Sequence, residues 1–287
     1  MKTILVPTDF SKQSEYALQA AAGIARKADA QLIALHVIDE PISDSYIVDG
    51  EYIPEGYENQ RFTLLLLKKR KQQLYDLSNH EVLKGVKTKF ELRVGNPYHG
   101  ITRIILEQKV DLVVMGTTGH SQQETFLGSI ANKIIRHSKC PVLTVHQRPS
   151  SDSYKNIVYA TSVLPSEELF SRIVKTAQQL FDATVHLVRI NTPVNFLSDQ
   201  IAKEKLNAFA KAHQFKNFTI NVVSDVSEEE GIIHFAESVN ADLIALATHG
   251  RSGFLHLLSG SISKRVTNHS RRPVMTFLVE QNKSTIL

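Results

Sequence analysis

The chain alternates short apolar runs with longer stretches whose apolar positions recur every three or four residues, and it does so twice. Apolar runs bounded by turn residues read as buried strands, and the 3.6-residue recurrence reads as helices with one buried face. In the first half the pattern predicts a strand over Thr3–Pro7, a helix over Ser11–Lys27 with Ser11 as its N-cap, and a strand at "QLIALHVI". It continues with an amphipathic helix at "YENQRFTLLLLKKRKQQLYDL", a strand at "KTKFELRV" and a helix at "PYHGITRIILEQ". A buried strand at "DLVVMG", a helix after Gly128 and a last strand at "PVLTV" complete the half. The second half repeats the series, with strands near 156–161, 184–190, 217–223, 242–247 and 273–279. Pro165 falls in the first turn of that half's opening helix, where no backbone donor is needed. Strands that alternate with helices imply parallel sheets covered on both faces. The expected fold is α/β: two doubly wound domains, each a five-stranded parallel sheet with helices on both faces.

The repeat is also visible in identities. Shifted by 131 or 132 positions, Asp111-Leu112 meets Asp242-Leu243, Gly119 meets Gly250, and Gly128-Ser129-Ile130 meets Gly260-Ser261-Ile262. His137-Ser138 meets His269-Ser270 and Pro141-Val142 meets Pro273-Val274. The polar segment "QRPSSDSYKN" separates the halves, so the expected domains are 1–148 and 154–287. A length of 287 residues agrees with two domains.

Composition narrows the function classes. The net charge of +4 is spread along the chain with no concentrated basic arm, which argues against a nucleic-acid partner. Cys140 is the single cysteine, so an internal disulfide is impossible. The opening "MKTILVPTDFS" lacks a signal-peptide pattern, and the leucine run Leu64–Leu67 is far too short to cross a bilayer. The expectation is a soluble, cytoplasmic protein with no membrane partner.

The chemistry concentrates where "DLVVMG" ends. Gly116, Gly119 and Gly128 lie between a strand and a helix, and Ser129 adds a hydroxyl at the helix start. Free peptide N–H groups and the helix dipole favour an anion at such a place. The same glycines also serve as turn and helix-cap residues, and the spacing alone does not decide between the two. The segment is neither a Walker loop nor a G-x-G-x-x-G fingerprint. Asp9, in "PTDFS", follows the first strand and reaches the same edge of the sheet. Its carboxylate suits hydrogen bonds from a base or ribose hydroxyls, or it caps the first helix beside Ser11.

Taken together, "PTDFS", "LHVIDE", "DLVVMGTTGH", "GSIANKIIRHSKCPVLTV" and "ATHGRSGFLHLLSGSISKRV" resemble the universal stress protein family in its tandem two-domain form. The resemblance covers nearly the whole chain. It implies an ATP or adenine-nucleotide site built on Gly-x2-Gly-x9-Gly-Ser/Thr and an aspartate after the first strand. It implies Asp9 at the ribose, Pro7, Val37 and Ile38 around the adenine, and Met115 and Gly116 on the crevice floor. Gly119, Gly128, Ser129 and Ile130 would surround the phosphates, with Mg²⁺ as an accompanying ion. It also implies that the two domains pair about a pseudo-twofold axis through "PVLTV" and "PVMTF", as family homodimers do, and leaves open a homodimer of the whole chain.

Each half departs from that pattern. The first has Gly119-x8-Gly128, one residue short, which tightens the loop. The second keeps Gly250-x9-Gly260-Ser261 but has Ala247 for the first glycine, Ser162 for the aspartate and Val226 where Gly95 stands. The expected nucleotide site is therefore in the first half, with Gly250, Gly260 and Ser261 as candidates for phosphate contact in a degenerate second site. The expected function is an ATP-binding stress-response regulator acting on an unknown protein partner. The alternatives are an interaction protein with non-binding sites, or a slow ATPase. No catalytic set is evident, so any hydrolysis is expected to be slow and incidental.

Four other features carry weaker signals. The acidic stretch 39–56 is either a lid over the crevice or a solvated insertion. Lys68, Lys69, Arg70 and Lys71 suit an anionic partner or the wet face of a helix. The histidines, His120 and His249 among them, are too dispersed for a structural metal, and none is expected. Cys140 reads as a small buried residue at a strand start.

Overall fold

The central apolar runs become strands because neighbouring strands and helices bury both of their faces, whereas Leu64–Leu67 lies inside a helix. A computed structural model of the chain describes residues 1–39, 47–48, 51–52, 57–117, 127–149, 153–249 and 259–279. The first half runs β1 (Thr3–Pro7), α1 (Lys12–Ala28), β2 (Gln31–Ile38), β3 (Ile47–Val48), β4 (Glu51–Tyr52), α2 (Tyr57–Ser78), β5 (Thr88–Val94), α3 (Pro97–Glu107), β6 (Leu112–Gly116), α4 (Ser129–His137) and β7 (Val142–Val145). The second half runs β8 (Asn156–Ala160), α5 (Glu168–Phe181), β9 (Thr184–Asn191), α6 (Asp199–Ala212), β10 (Phe218–Ser224), α7 (Glu228–Ser238), β11 (Leu243–His249), α8 (Ser259–His269) and β12 (Val274–Val279).

Ten strands form one sheet in the order β10-β9-β8-β11-β12-β7-β6-β1-β2-β5. In this sheet every pair inside one half is parallel, whereas β12 meets β7 antiparallel, Val274 opposite Thr144 and Thr276 opposite Val142. The two five-stranded sheets expected from the repeat are thus continuous through their last strands. Thr144 Oγ1 adds a bond to the Val274 carbonyl at 3.1 Å across the seam.

Strand order reverses between β1 and β6, and again between β8 and β11. At such reversals the following helices diverge to opposite faces and leave a crevice beyond the strands' carboxyl ends. On one face, Leu5, Ile33, Leu35 and Val113 pack against Ile101, Ile104, Ile134 and Ile135 of α3 and α4. On the other, one cluster runs across both halves, from the alanines of α1 to Tyr159, Phe170 and Phe209.

Local signals explain the helix ends. Ser11 caps α1 by accepting from Ser14 N, and Asp29 closes it in a left-handed conformation. Pro165 opens a 3₁₀ turn, Pro165–Glu167, and α5 begins only at Glu168. In α2, Lys68, Lys69 and Lys71 are exposed, while Arg70 donates to Gln73 at 2.8 Å and lies over the Phe10 ring. Of the acidic stretch 39–56, the structure describes Asp39 and a two-residue antiparallel pairing, β3 with β4; the rest lies outside the described residues.

Candidate functional site

The crevice of the first half is walled by the ends of β1, β2 and β6 and by the first turns of α3 and α4, and its volume is about 360 Å³. Beyond β1, a tight turn aims one side chain into it. Phe10 takes a left-handed conformation, φ 64°, and its N–H donates to Thr8 Oγ1 at 3.1 Å. Ser11 N donates to Asp9 Oδ1 at 3.0 Å, fixing the carboxylate against the crevice wall. Asp9 therefore braces the turn into α1, where Ser11 is the N-cap, and it also borders the crevice. Thr8 Oγ1 and Ser14 Oγ are 3.1 Å apart, so the turn is tied to the helix from within.

On β2, Thr8 N donates to the Leu35 carbonyl at 2.8 Å, and His36 Nδ1 lies 2.7 Å from the Thr8 carbonyl. A carbonyl only accepts, so Nδ1 carries the proton. Burial is the main reason the His36 imidazole is held below its ordinary pKa, and therefore neutral at physiological pH. Pro7, Val37 and Met115 supply apolar wall beside these groups.

Glycine is required at Gly116 and relieves a tight contact at Gly128. A Cβ on Gly116 would stand 2.8 Å from the Gln13 carbonyl carbon in the first turn of α1. A Cβ on Gly128 would stand 3.3 Å from the Thr117 carbonyl oxygen, which already accepts Gly128 N at 2.6 Å. Gly128 is the N-cap of α4 and offers no side-chain acceptor to the helix's first amides. That N-terminus faces the crevice through Gly128, Ser129 and Ile130. No lysine or arginine is among the described lining residues, so an anion there would be held by peptide N–H groups, hydroxyls and the helix dipole.

Of the residues expected here, Pro7, Asp9, Val37, Met115, Gly116, Gly128, Ser129 and Ile130 line this one crevice. Ile38 is buried and does not line it. Gly119 and His120 lie outside the described residues. Thr8, Ser14, His36 and Thr117 line the crevice as well, without having been singled out. Thr8 was legible as part of "PTDFS"; Ser14 arrives through the first turn of α1, and His36 and Thr117 become neighbours only through strand pairing.

The second half builds the same corner differently. Its crevice measures about 80 Å³. Glu167 takes the place of Ser14, is 1% exposed, and accepts from Tyr159 Oη at 3.0 Å and Thr161 Oγ1 at 2.7 Å. It also accepts from the amides of Ser162 and Leu164 at 3.3 and 3.4 Å. Burial, with the Glu167 charge beside it, pushes the Tyr159 phenol well above its ordinary pKa. Across the opening, Arg189 donates to the Asn195 carbonyl at 2.9 Å, and the Asn195 amide donates to Glu228. The first turn of α7 carries Glu228, Glu229 and Glu230, whereas that of α3 carries no acid. Ser162 and Ala247 line this smaller space. Gly250 lies outside the described residues, and Gly260 and Ser261 fall inside the first turn of α8 rather than at its N-cap. Val226 is an exposed extra residue: the bond Gly95 N to the Ile38 carbonyl is matched by Asp225 N to the Asn191 carbonyl.

Among the described residues no three His, Cys, Asp or Glu side chains gather as a metal site, and no helix is long and apolar enough to cross a membrane. Cys140 is buried two residues before β7, and burial raises its thiol pKa.

The sequence profile of the universal stress protein family matches residues 1–146 and again residues 153–277. A universal stress protein of Methanocaldococcus jannaschii is 35% identical over 151 residues, which is 50% of this chain and 81% of that protein. A putative universal stress protein of Staphylococcus epidermidis is 31% identical over 156 residues, 54% of this chain and 89% of its own. Among solved structures, a universal stress protein from Archaeoglobus fulgidus superimposes with a TM-score of 0.72 at 17% identity, covering 96% of this chain and 97% of that one. A putative universal stress protein from Pseudomonas aeruginosa gives 0.63 at 18% identity, over 97% and 94% of the two chains. These two structural likenesses concern the fold.

Proposed function

The chain belongs to the universal stress protein family, and from that premise we propose that it is a stress-response regulator whose first half binds one adenine nucleotide, ATP with Mg²⁺. The observation that carries this reading is the inequality of the two crevices. One is about 360 Å³, within the range of roughly 300–1,000 Å³ typical of small-molecule pockets, and the other is about 80 Å³ and filled by Glu167. In the first, Val37 and Met115 offer an apolar wall for a base, and the Asp9 carboxylate offers an acceptor to ribose hydroxyls. The N-terminus of α4, where Gly128 supplies no side-chain acceptor, offers peptide N–H groups to phosphate oxygens. In the second, a buried carboxylate stands beside the missing acceptor, and acidic side chains crowd the first turn of α7. A polyphosphate would meet like charge there.

The units that act are residues 1–148, which bind, and 154–287, which do not. The protein works in the cytoplasm, and nucleotide occupancy changes its affinity for a protein partner. Any hydrolysis is slow: single-turnover phosphate release is expected at the rate of buffer alone, and a faster release would contradict this. Titration calorimetry with Mg-ATP tests the reading. One nucleotide per chain is expected, with affinity lowered about tenfold in Asp9→Ala and unchanged in Ser162→Ala. Absence of heat at millimolar ATP would overturn it in favour of an interaction protein with vestigial sites.

A further inference from the structure

The described residues on either side of the first half's glycine segment, Thr117 and Leu127, are both tied to the second half. Leu127 is buried, so its amide must find an acceptor within the protein, and it donates to Asn268 Oδ1 at 3.0 Å. Thr117 Oγ1 lies 3.0 Å from His146 Nδ1, and His146 Nε2 bonds the carbonyl of Thr267. Proton positions follow from the partners. The Thr267 carbonyl only accepts, so Nε2 carries the ring proton. Nδ1 is then an acceptor, and the Thr117 hydroxyl donates to it. Burial keeps the imidazole in this neutral form. Thr267 and Asn268 belong to the last turn of α8.

The bond from Gly128 N to the Thr117 carbonyl, at 2.6 Å, joins these two anchors into one neck. That neck sets where α4 begins, and so where its first N–H groups point. We propose that His146 and Asn268 are positioning residues for the anion-binding turn of the first half, so that the second half acts as a clamp on its neighbour's site. The second half then keeps a function although its own crevice is filled. The contribution to affinity rests on the nucleotide reading above; the clamp itself does not.

The experiment has two readouts on the full chain. The first is amide exchange at Leu127 and Gly128 without nucleotide. Asn268→Leu removes the acceptor and is expected to speed exchange at Leu127 at least tenfold, while Asn268→Asp keeps an oxygen there and restores protection. Thr117→Val removes one hydroxyl at constant shape and is expected to speed exchange at Gly128. It keeps the test valid should Asn268→Leu fold poorly. The second readout is the Mg-ATP dissociation constant, expected to rise about five- to tenfold in Asn268→Leu and in His146→Phe. It should return in Asn268→Asp and in His146→Gln, whose amide can donate to Thr267 and accept from Thr117. Unchanged exchange in both Asn268→Leu and Thr117→Val overturns the clamp, whether or not the protein binds ATP. Faster exchange with an unchanged dissociation constant overturns its role in affinity. Faster exchange in a protein that never binds ATP supports the clamp and defeats the nucleotide reading alone.

Discussion

Replacing Gly116 with alanine drives a methyl group into the first turn of α1. The new Cβ would lie 2.8 Å from the Gln13 carbonyl carbon and 2.9 Å from both the Gln13 Cβ and its carbonyl oxygen. Comfortable contacts of this kind are about 3.5–4.0 Å, so the strand end and the helix must part by roughly 0.7–1 Å. Overpacking of this size costs about 1–3 kcal/mol, or roughly 2–12 °C in melting temperature for a domain of this length. The turn that yields carries Ser11 and Ser14, whose bonds run back to Asp9 and Thr8. The Asp9 carboxylate therefore shifts with it, and ATP affinity should fall about tenfold, the equivalent of about 1.4 kcal/mol. A thermal melt and a calorimetric titration measure both quantities. A melting point within a degree of the parent's, together with unchanged affinity, would refute the role given to Gly116. The reciprocal change, Ala247→Gly, should cost no more than about 1 kcal/mol and create no site, because Glu167 remains in place.

Three further outcomes follow from the same geometry. Glu167→Ala strips acceptors from Tyr159 and Thr161 and should destabilise the second half by about 2–5 kcal/mol in urea titration; a loss below about 0.5 kcal/mol contradicts the buried network. Asp9→Ala should weaken Mg-ATP binding by titration calorimetry; equal effects of Asp9→Ala and Ser162→Ala on binding would remove the asymmetry between halves. His36 and His146 are both held below the usual imidazole value of about 6.5 by burial, so the unfolded chain takes up their protons first. The stability they lend is complete above pH about 6.5 and is lost as pH falls through their lowered native values. Urea midpoints should therefore drop between pH 7.5 and 5.5, less so in His146→Gln, and a midpoint that rises on acidification refutes the argument.

How much the sequence reveals depends on the range of the interaction concerned. Strand and helix positions follow from local period, which is why β1, α2 and α3 start within a residue of their sequence-based positions. Ser11 as a cap and Gly116 at a close approach are also local facts, each carried by one residue type with one steric or hydrogen-bonding property. The family resemblance extended this to the crevice, and eight of the ten first-half residues it pointed to line one space. Glu167 was missed because an acid in a helix's first turn ordinarily faces water and favours the dipole. Only the packing of β8 against that turn makes it a buried acceptor for Tyr159 and Thr161. Val226 stands where Gly95 does by sequence alone, but the strand registers of the two halves are the same and Asp225 makes the equivalent bond, so Val226 is one extra residue in the turn before α7. His146 and Asn268 carried no signal at all. Their partners lie 121 and 141 residues away, and they meet only because β7 and β12 pair antiparallel.

The structure of the full chain with bound Mg-ATP tests the central claim most directly. One nucleotide per chain is predicted, its ribose beside Asp9 and its phosphates at the N-terminus of α4, with the space around Glu167 unchanged. A nucleotide in the second half, or in both halves alike, would contradict the account.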